Sequence, residues 1–336
     1  VAACEALVRQ CQTTTPYVKD RAPYRFDAWR KAAEGGDLWG AFLVAKCYDE
    51  GLGVSRDEAA AVAWYRRAAE AGHPFSQVNL SRMLEDGRGA SRNLPEAVSW
   101  CRKAAEQGYW MGQRNLGIMY REGQGVVRSD SEAVSWFRKA AVQGAALAQV
   151  DLGLMYAGGR GVPKDMREAA AWYRKAAEQG YARGQWNLGL LCRDGLGVVQ
   201  SDAEAVRWFR LAAAQGDPDA QVDLGWMVER GRGTAKDLRE AVDWYRKAAL
   251  QGSVVGQKNM GVVCREGLGV VQDDVEAVRW FRMAADQGDS DGQLNLGWMY
   301  ERGRGVPQSR SEAIRWYQRA ADQGNEIARN NLKILR

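Results

Sequence analysis

Residues 109–144 read YWMGQRNLGIMYREGQGVVRSDSEAVSWFRKAAVQG, and residues 145–180 read AALAQVDLGLMYAGGRGVPKDMREAAAWYRKAAEQG. This 36-residue unit recurs eight times from Asp37 to Gly324 without an insertion or deletion. Val1 takes slot 1 of the frame, so a slot number is the residue number minus a multiple of 36. Slot 28 is always Trp, slots 32 and 33 are always Ala, and slot 36 is always Gly. A fixed period of this length predicts an array of structural repeats, each stacked on its neighbours.

Each repeat predicts two helices. Slots 4, 8, 9, 11 and 12 are apolar or small, which is a helical spacing, and glycines at slots 15 and 17 are expected to end this helix A. Slot 21 is Asp, Asn or Ser, and slot 24 is Glu in seven repeats, so a capping box is expected to begin helix B. Slots 25, 28, 29, 32 and 33 form one apolar stripe. We expect the slot-28 Trp to fill the core between helices that small residues at slots 9, 25, 32 and 33 bring close together.

This motif resembles that of a known repeat family. The third repeat carries it as Gln113-x-x-Leu116-Gly117-x-Met119-Tyr120, Gly123-x-Gly125-Val126, Trp136 and Ala140-Ala141. The pattern is similar to the Sel1-like repeat, a relative of the tetratricopeptide repeat with a longer loop. The resemblance implies an all-α, right-handed superhelical solenoid of 36-residue helix-turn-helix repeats that binds other proteins without intrinsic catalysis.

The two ends of the chain depart from the repeat pattern. Residues 1–36 predict a degenerate N-terminal capping repeat, in which Trp29 resembles the end of helix B and Pro16 breaks the usual loop. Residues 37–324 hold the eight repeats, and residues 325–336 predict a C-terminal capping helix. Repeat arrays need atypical end units of this kind, because a repeat at the end has only one neighbour.

A second period of 72 residues lies over the first. The third, fifth and seventh repeats have Phe at slot 29 and Val-Val at slots 18 and 19. The fourth, sixth and eighth repeats have Tyr at slot 29 and Arg at slot 16. The alternation indicates that the gene grew by duplicating pairs of repeats.

Charge and hydropathy argue against two kinds of partner, nucleic acid and membrane, with a basic RNA-binding solenoid as the minority alternative. The 47 basic and 42 acidic residues are finely interleaved and give a net charge of +5, so we expect no nucleic-acid partner. No apolar run approaches the roughly 18 residues of a membrane helix. We expect membrane contact only through an N-terminal lipid anchor, because Val1-Ala2-Ala3-Cys4 resembles a bacterial lipobox. The alternative is that Cys4 occupies a small-residue slot of a degenerate repeat. Periplasm or envelope is therefore the expected location, and the cytoplasm stays open.

The sequence offers little for catalysis or for metal binding. Four cysteines occupy slots that otherwise hold large apolar residues, so we expect them to be buried free thiols: Cys47, Cys101, Cys192 and Cys264. The oxidation state of Cys4 and Cys11 is left open. The only histidine, His73, precedes a proline, and we expect it to be an exposed loop residue. We predict no catalytic residue, no metal and no cofactor.

Tryptophans outside slot 28 are the first candidates for partner binding. In tetratricopeptide-like arrays helix A lines the concave surface, and by analogy slots 3, 6, 10, 13 and 14 would face a ligand. Four extra tryptophans lie at these slots: Trp39, Trp186, Trp226 and Trp298. Exposed tryptophans beside arginines are typical of interface anchors. The alternative is that these rings stack on the adjacent repeat and are structural.

Alternating charges at slots 13 and 14 are the second group of candidates. The predicted partner-binding residues here are Arg193, Glu229, Arg230, Arg265, Glu301 and Arg302. They would form either a ladder of ion pairs between slots 13 and 14 of neighbouring repeats or a polar rim around the tryptophans, and both can hold.

The function expected from these features is that of a non-catalytic scaffold gripping a partner protein in a concave groove. Bacterial proteins that this chain resembles include immunity proteins against secreted effectors, among them phospholipases of type VI secretion, and we expect that role most specifically. The alternative is an adaptor or regulator of envelope assembly or signalling. A cell-wall glycan hydrolase is the least favoured class, because most carboxylates are already assigned to caps and solvent-facing slots.

Overall fold

The computed structural model describes residues 15–335, and over that range it contains eighteen α-helices and no strand. In every repeat helix A spans slots 2–14 and helix B spans slots 22–34. The helices are α1 Thr15–Glu34, α2 Leu38–Glu50, α3 Glu58–Glu70, α4 Pro74–Asp86, α5 Leu94–Glu106, α6 Trp110–Glu122, α7 Asp130–Val142, α8 Ala146–Gly158, α9 Met166–Glu178, α10 Ala182–Asp194, α11 Asp202–Ala214, α12 Pro218–Arg230, α13 Leu238–Leu250, α14 Val254–Glu266, α15 Asp274–Asp286, α16 Ser290–Arg302, α17 Arg310–Asp322 and α18 Glu326–Leu335. The predicted all-α array of helix-turn-helix repeats is confirmed, and its right-handed superhelical course stays a prediction.

The helices form two compact units, divided between Asp165 and Met166. Within each unit, helix A packs against helix B of its own repeat and against helix B of the preceding repeat. No helix in residues 15–335 combines the length and the apolar composition that crossing a bilayer requires.

Capping residues begin and end the helices, but only half of the predicted capping box forms, because the slot-21 backbone N–H donates to the slot-12 carbonyl oxygen and not to the slot-24 Glu. Ser201, at slot 21, accepts a hydrogen bond from the backbone N–H of Glu204 at 3.2 Å, and other slot-21 residues do the same. Slot-15 glycines end helix A with a left-handed φ between 63° and 73°. Slot 17 must be Gly for a second reason, because a Cβ on Gly233 would lie 2.2 Å from the carbonyl oxygen of Asp202 in the preceding repeat. The loop of one repeat therefore rests directly on the start of the previous helix B.

The residue that fills the core is at slot 29, which corrects the prediction for slot 28. Phe281 is fully buried, and a Cβ on the slot-9 glycine opposite it, Gly261, would lie 2.5 Å from its ring. Five slot-28 tryptophans are 6–9% exposed, while Trp64, Trp172 and Trp244 are only half-buried. The indole lies at the edge of the core because a slot-31 cation covers its face in several repeats.

Buried glutamines at slot 5 connect each repeat to the one before it. Gln257 donates from its side-chain nitrogen to the carbonyl oxygen of Ala249 at 3.3 Å, across the boundary between two repeats. Its side-chain oxygen accepts from Gln287, at slot 35 of its own repeat, at 2.8 Å. The first bond recurs in all repeats from the second to the eighth. Each of these amides adds a second hydrogen bond to a carbonyl at the C-terminal end of helix B, since Ala249 also accepts from the backbone N–H of Gly252 at 3.0 Å.

The terminal helices differ from the repeats. Helix α1 begins at Thr15 and covers slots 15–21, where the repeats have a loop, because Thr15 and Tyr17 stand in place of the two loop glycines. The usual loop is broken around Pro16, as expected, and Pro16 itself lies in the first turn of α1, where a missing N–H costs nothing. Residues 1–14, including Cys4 and Cys11, lie outside the described residues. The assignment of both ends as caps stays a prediction.

Candidate protein-binding surface

The exposed side of the A helices in the second unit carries nine of the ten predicted binding residues. We call this surface the A face and define it by slots 3, 6, 7, 10, 13 and 14 of α10, α12, α14 and α16. The four helices present the same slots to solvent because they are equivalent members of the array. Trp39 is the exception, since it belongs to the first unit.

Trp226 is half-buried and packs against two arginines. The guanidinium carbons of Arg230 and Arg232 each lie 5.1 Å from its ring centroid, within the range of a cation–π interaction. Arg230 is one helical turn further along α12. Arg232 follows in the loop, where Asp202 accepts two hydrogen bonds from it at 3.0 and 2.8 Å. This bidentate pair raises the pKa of Arg232 and fixes its guanidinium beside the indole.

Trp298 also packs against two arginines two repeats later, but only one of them occupies an equivalent slot. The guanidinium carbons of Arg265 and Arg304 each lie 5.3 Å from its ring centroid. Arg304 donates two hydrogen bonds to Asp274 at 2.8 and 2.7 Å, as Arg232 does to its own aspartate. Arg302, one turn beyond Trp298, has a side chain that is 61% exposed.

Trp186 is bonded differently, and this supports the structural alternative for this residue. Its indole N–H donates to the carboxylate of Asp223 at 2.7 Å, on the next A helix. Asp223 also accepts from Arg193 at 3.0 Å, and the guanidinium carbon of Arg183 lies 4.2 Å from the Trp186 ring centroid. Burial raises the pKa of Asp223, while Trp186 and Arg193 oppose that shift. Trp186 therefore ties two repeats together.

Trp39 lies in an aromatic cluster of the first unit. Its ring is 4.6 Å from that of His73 and 5.1 Å from that of Phe75, measured between centroids. His73 is only 6% exposed, so the expectation of an exposed loop histidine is wrong. Rings from two repeats cover it, and burial lowers its pKa to about 4. Its Nδ1 lies 2.9 Å from the hydroxyl of Ser76, whereas Nε2 has no hydrogen-bond partner among the described residues.

The charged residues at slots 13 and 14 form a different network from the predicted ladder. Arg193 pairs with the slot-14 acid of its own helix, Asp194, at 2.8 Å and reaches slot 7 of the next repeat. Arg265 does the same with Glu266 at 2.7 Å and with the amide oxygen of Asn295, also at 2.7 Å. The connection between repeats therefore runs from slot 13 to slot 7. The expectation that the slot-13 and slot-14 charges of neighbouring repeats pair with one another is wrong, since Arg193 and Arg265 bond to slot 7 of the next A helix.

The two glutamates of this group bond inward. The hydroxyl of Tyr245 donates to Glu229 at 2.7 Å, and that of Tyr317 donates to Glu301 at 2.6 Å. Burial raises the pKa of both tyrosines, and the neighbouring carboxylates raise it further. The slot-29 tyrosines of the sixth and eighth repeats thus bond to the slot-13 carboxylates of their own repeats.

Sequence reasoning missed the importance of the slot-16 arginines. It recorded them as part of the 72-residue period without giving them a role. The signal was present, because each of these arginines follows an aspartate at slot 22 of the preceding repeat. The pairs are Asp130 with Arg160, Asp202 with Arg232 and Asp274 with Arg304.

The remaining chemistry of the described residues is limited. The four predicted free thiols are buried, which confirms that interpretation, and burial raises the pKa of Cys47 and Cys101 to about 12. Residues 15–335 contain no group of three or more His, Cys, Asp or Glu residues that could hold a metal ion.

Helix pairs of constant length, each bonded to the next through buried glutamines, define a tandem-repeat protein of the all-α class. The chain belongs to the Sel1 repeat family, whose model matches it eight times in succession. The matched residues are 40–73, 74–109, 110–144, 146–181, 182–217, 218–253, 254–289 and 290–325. Sel1 repeat proteins act as scaffolds that bind other proteins.

Solved structures of the same family are similar to this chain. A Sel1 repeat protein from Oxalobacter formigenes is 37% identical over 92% of this chain and 90% of its own, with a TM-score of 0.72. The c5321 protein, a protective antigen present in uropathogenic Escherichia coli strains, is 36% identical over 91% of this chain, with a TM-score of 0.77. This chain spans 66% of that antigen's length. The immunity protein PA5088 of Pseudomonas aeruginosa is 20% identical, with a TM-score of 0.44, over 68% of this chain and 81% of its own. Comparison with curated proteins gives no match.

Proposed function

We propose that this protein is a non-catalytic scaffold that binds a partner protein through the A face. The observation that supports it is the repeated arrangement of Trp226 and Trp298, each half-buried and packed against arginines. Tryptophan and arginine are the residues most enriched at the energetic centres of protein interfaces. Hydrogen bonds to aspartates already fix two of these arginines, so less side-chain freedom is lost when a partner binds.

More specifically, we propose an immunity protein that neutralises a secreted bacterial effector, a phospholipase or another toxin. This choice draws on the resemblance to bacterial family members with that role. It also draws on Val1-Ala2-Ala3-Cys4, which would place a lipid anchor at Cys4 and the protein in the periplasm or envelope.

The test uses effector genes that lie next to the gene for this protein. We expect co-expression with the native chain to restore growth to cells that make the toxic effector, and the two proteins to co-purify. Trp226→Ala with Trp298→Ala should weaken the complex at least tenfold and leave the melting temperature within a few degrees of the native value.

The matched control is Trp172→Ala with Trp244→Ala, which removes two half-buried tryptophans of helix B that are also 72 residues apart. Loss of binding in the control, with binding kept in the A-face variant, would place the interface elsewhere. A neighbouring sensor kinase or assembly factor that co-purifies, in the absence of any neutralised toxin, would favour the adaptor role.

A further inference from the structure

The strongest unexplained feature of the A face is a Trp–Arg pair that occurs twice, at slots 10 and 14. Trp226 with Arg230 and Trp298 with Arg302 are each one helical turn apart and recur after 72 residues. Between them, α14 has Val262 at slot 10 and an acid at slot 14. We call each Trp–Arg pair a station. The first station, Trp226 with Arg230, lies on α12, and the second, Trp298 with Arg302, lies on α16.

Arg230 and Arg302 differ from the other cations of the A face. Arg183, Arg193 and Lys258 are paired with carboxylates at 2.6–3.0 Å. In contrast, Arg230 makes no ion pair among the described residues. Arg302 has only a 3.8 Å approach to Glu301, without a hydrogen bond.

The nearby carboxylates are already engaged. Glu229 and Glu301 accept the tyrosine hydroxyls of their own repeats. Asp202 and Asp274 hold the slot-16 arginines through two hydrogen bonds each. The guanidinium groups of Arg230 and Arg302 are thus the donors on this surface that lack a hydrogen-bonded carboxylate.

We infer that the A face binds a partner segment bearing two acidic residues, each beside an apolar side chain. This inference rests on the proposed function. At each station a carboxylate of the partner would accept paired hydrogen bonds from the guanidinium of Arg230 or Arg302. The neighbouring apolar side chain would pack on the adjacent indole. A basic segment would meet like charge at both stations, which opposes binding.

The spacing of the stations sets the length of that segment. Helices in contact lie about 8–10 Å apart, and α12 contacts α14, so α12 and α16 are separated by roughly 20 Å. An extended chain advances about 3.3–3.6 Å per residue. The two acidic residues of an extended segment would therefore lie about six positions apart.

A random library of 16-residue peptides displayed on phage, selected against the full-length protein, tests this inference. We expect the selected peptides to carry a net negative charge, with acidic residues beside apolar ones. As synthetic peptides they should bind Arg230→Gln with Arg302→Gln at least tenfold more weakly than the native protein, and the difference should shrink as salt is raised.

The control variant is Arg207→Gln with Arg279→Gln, which removes the same charge from two helix-B residues that are also 72 residues apart. Their side chains are 63% and 72% exposed, so we expect affinities within twofold of native. Basic or neutral selected peptides, an equal loss in the control, or the absence of any binding peptide would overturn the inference.

Failure of the proposed function gives a different result. Peptides that lose affinity with Trp226→Ala and Trp298→Ala, but not with the arginine variant, would keep the A face as the binding site and reject acidic recognition. Peptides whose affinity is unchanged by both pairs of substitutions would show that the A face is not the binding site.

Discussion

The aromatic side chain at slot 29 is the most deeply buried ring of helix B in seven of the eight repeats. Phe281 is fully buried, and the glycine opposite it leaves no room for a Cβ. By contrast, Trp172 is half-buried, and the ammonium of Lys175 lies 3.8 Å from its ring centroid. Slots 29 and 28 of helix B therefore have different roles in these two repeats. The first fills the space between helices, and the second covers the edge of that space.

Phe281→Ala should lower the free energy of unfolding by about 3–5 kcal/mol, because it leaves a cavity that rigid helices cannot close. Trp172→Ala should cost about half as much, because much of its indole already contacts water and a lysine. Urea denaturation followed by circular dichroism measures both changes. Equal losses for the two variants would contradict this division of roles.

The buried histidine makes the first unit sensitive to acid. The pKa of His73 is about 4 in the folded chain, against about 6.5 when it is exposed in the unfolded chain. Its contribution to stability is therefore complete above pH 6.5 and is lost as the pH falls from 6.5 to 4. The difference between the two pKa values corresponds to a loss of up to about 3 kcal/mol.

We expect His73→Phe to reduce the fall in stability between pH 6.5 and 4, because a neutral ring then occupies the aromatic cluster. Thermal unfolding across that pH range measures the effect in both proteins. As the only histidine, His73 also gives a single set of imidazole signals in an NMR titration. A pKa near 6.5 in that titration would contradict its burial.

At the scale of the helices, the buried glutamines determine how strongly one repeat holds the next. Gln257 joins α14 to α13 through Ala249 and also orients the side chain of Gln287. The bond lies where helix B ends, so it replaces water that would otherwise solvate the last carbonyls. The free energy of unfolding of such an array is close to the sum of the stabilities of the single repeats and of the interfaces between neighbouring repeats. Each buried glutamine contributes to one of these interfaces.

Gln257→Met should lower stability by about 1–3 kcal/mol, because it removes a buried hydrogen bond to Ala249 and a part-buried one from Gln287, while keeping the volume of the side chain. Hydrogen exchange should show faster opening in α13 and α14 than in α17. Gln272→Met is the control, since that exposed loop glutamine follows the same helix, and it should cost less than about 0.5 kcal/mol. Similar effects of both substitutions would remove the glutamine from the interface between repeats.

At the largest scale, repeats within residues 166–335 are interchangeable in pairs of 72 residues. The reason is that the side chains that pair across a repeat boundary alternate between odd and even repeats. Arg304 pairs with Asp274 at slot 22 of the seventh repeat, whereas the sixth repeat has Leu238 at that slot. Removing residues 253–288 would bring the eighth repeat against the sixth and leave Arg304 opposite a leucine. Removing two repeats, residues 217–288, would place Asp202 opposite Arg304 instead.

This alternation predicts that one substitution stabilises a shortened chain but not the complete chain. Leu238→Asp should stabilise the chain lacking residues 253–288 by up to about 1 kcal/mol, because it restores a bidentate partner to Arg304. In the complete chain the same aspartate would face Leu268 and should give no gain. Melting temperatures of the four proteins form the measurement, and equal shifts in both chains would contradict the pairing.

Much of the fold was predictable because its signals are local. Glycines, capping residues and the apolar stripe place the ends of every helix within the repeat. The relative burial of the side chains at slots 28 and 29 could not be predicted, because both slots lie on the same apolar stripe. Packing against the opposite helix decides which side chain is buried more deeply. The burial of His73 depends on Trp39 and Phe75, which do not recur in the other repeats. The charge network required knowing that slot 13 meets slot 7 of the next repeat, which spacing along one helix does not reveal.

The buried glutamines make the contact between repeats independent of the side chains on the A face. Each repeat presents its successor with a backbone carbonyl, which is the same whatever side chains lie outside. A substitution on the A face therefore alters recognition without altering the contact by which repeats join. New partners can be acquired one surface residue at a time, while the contact between repeats passes unchanged to every duplicated copy.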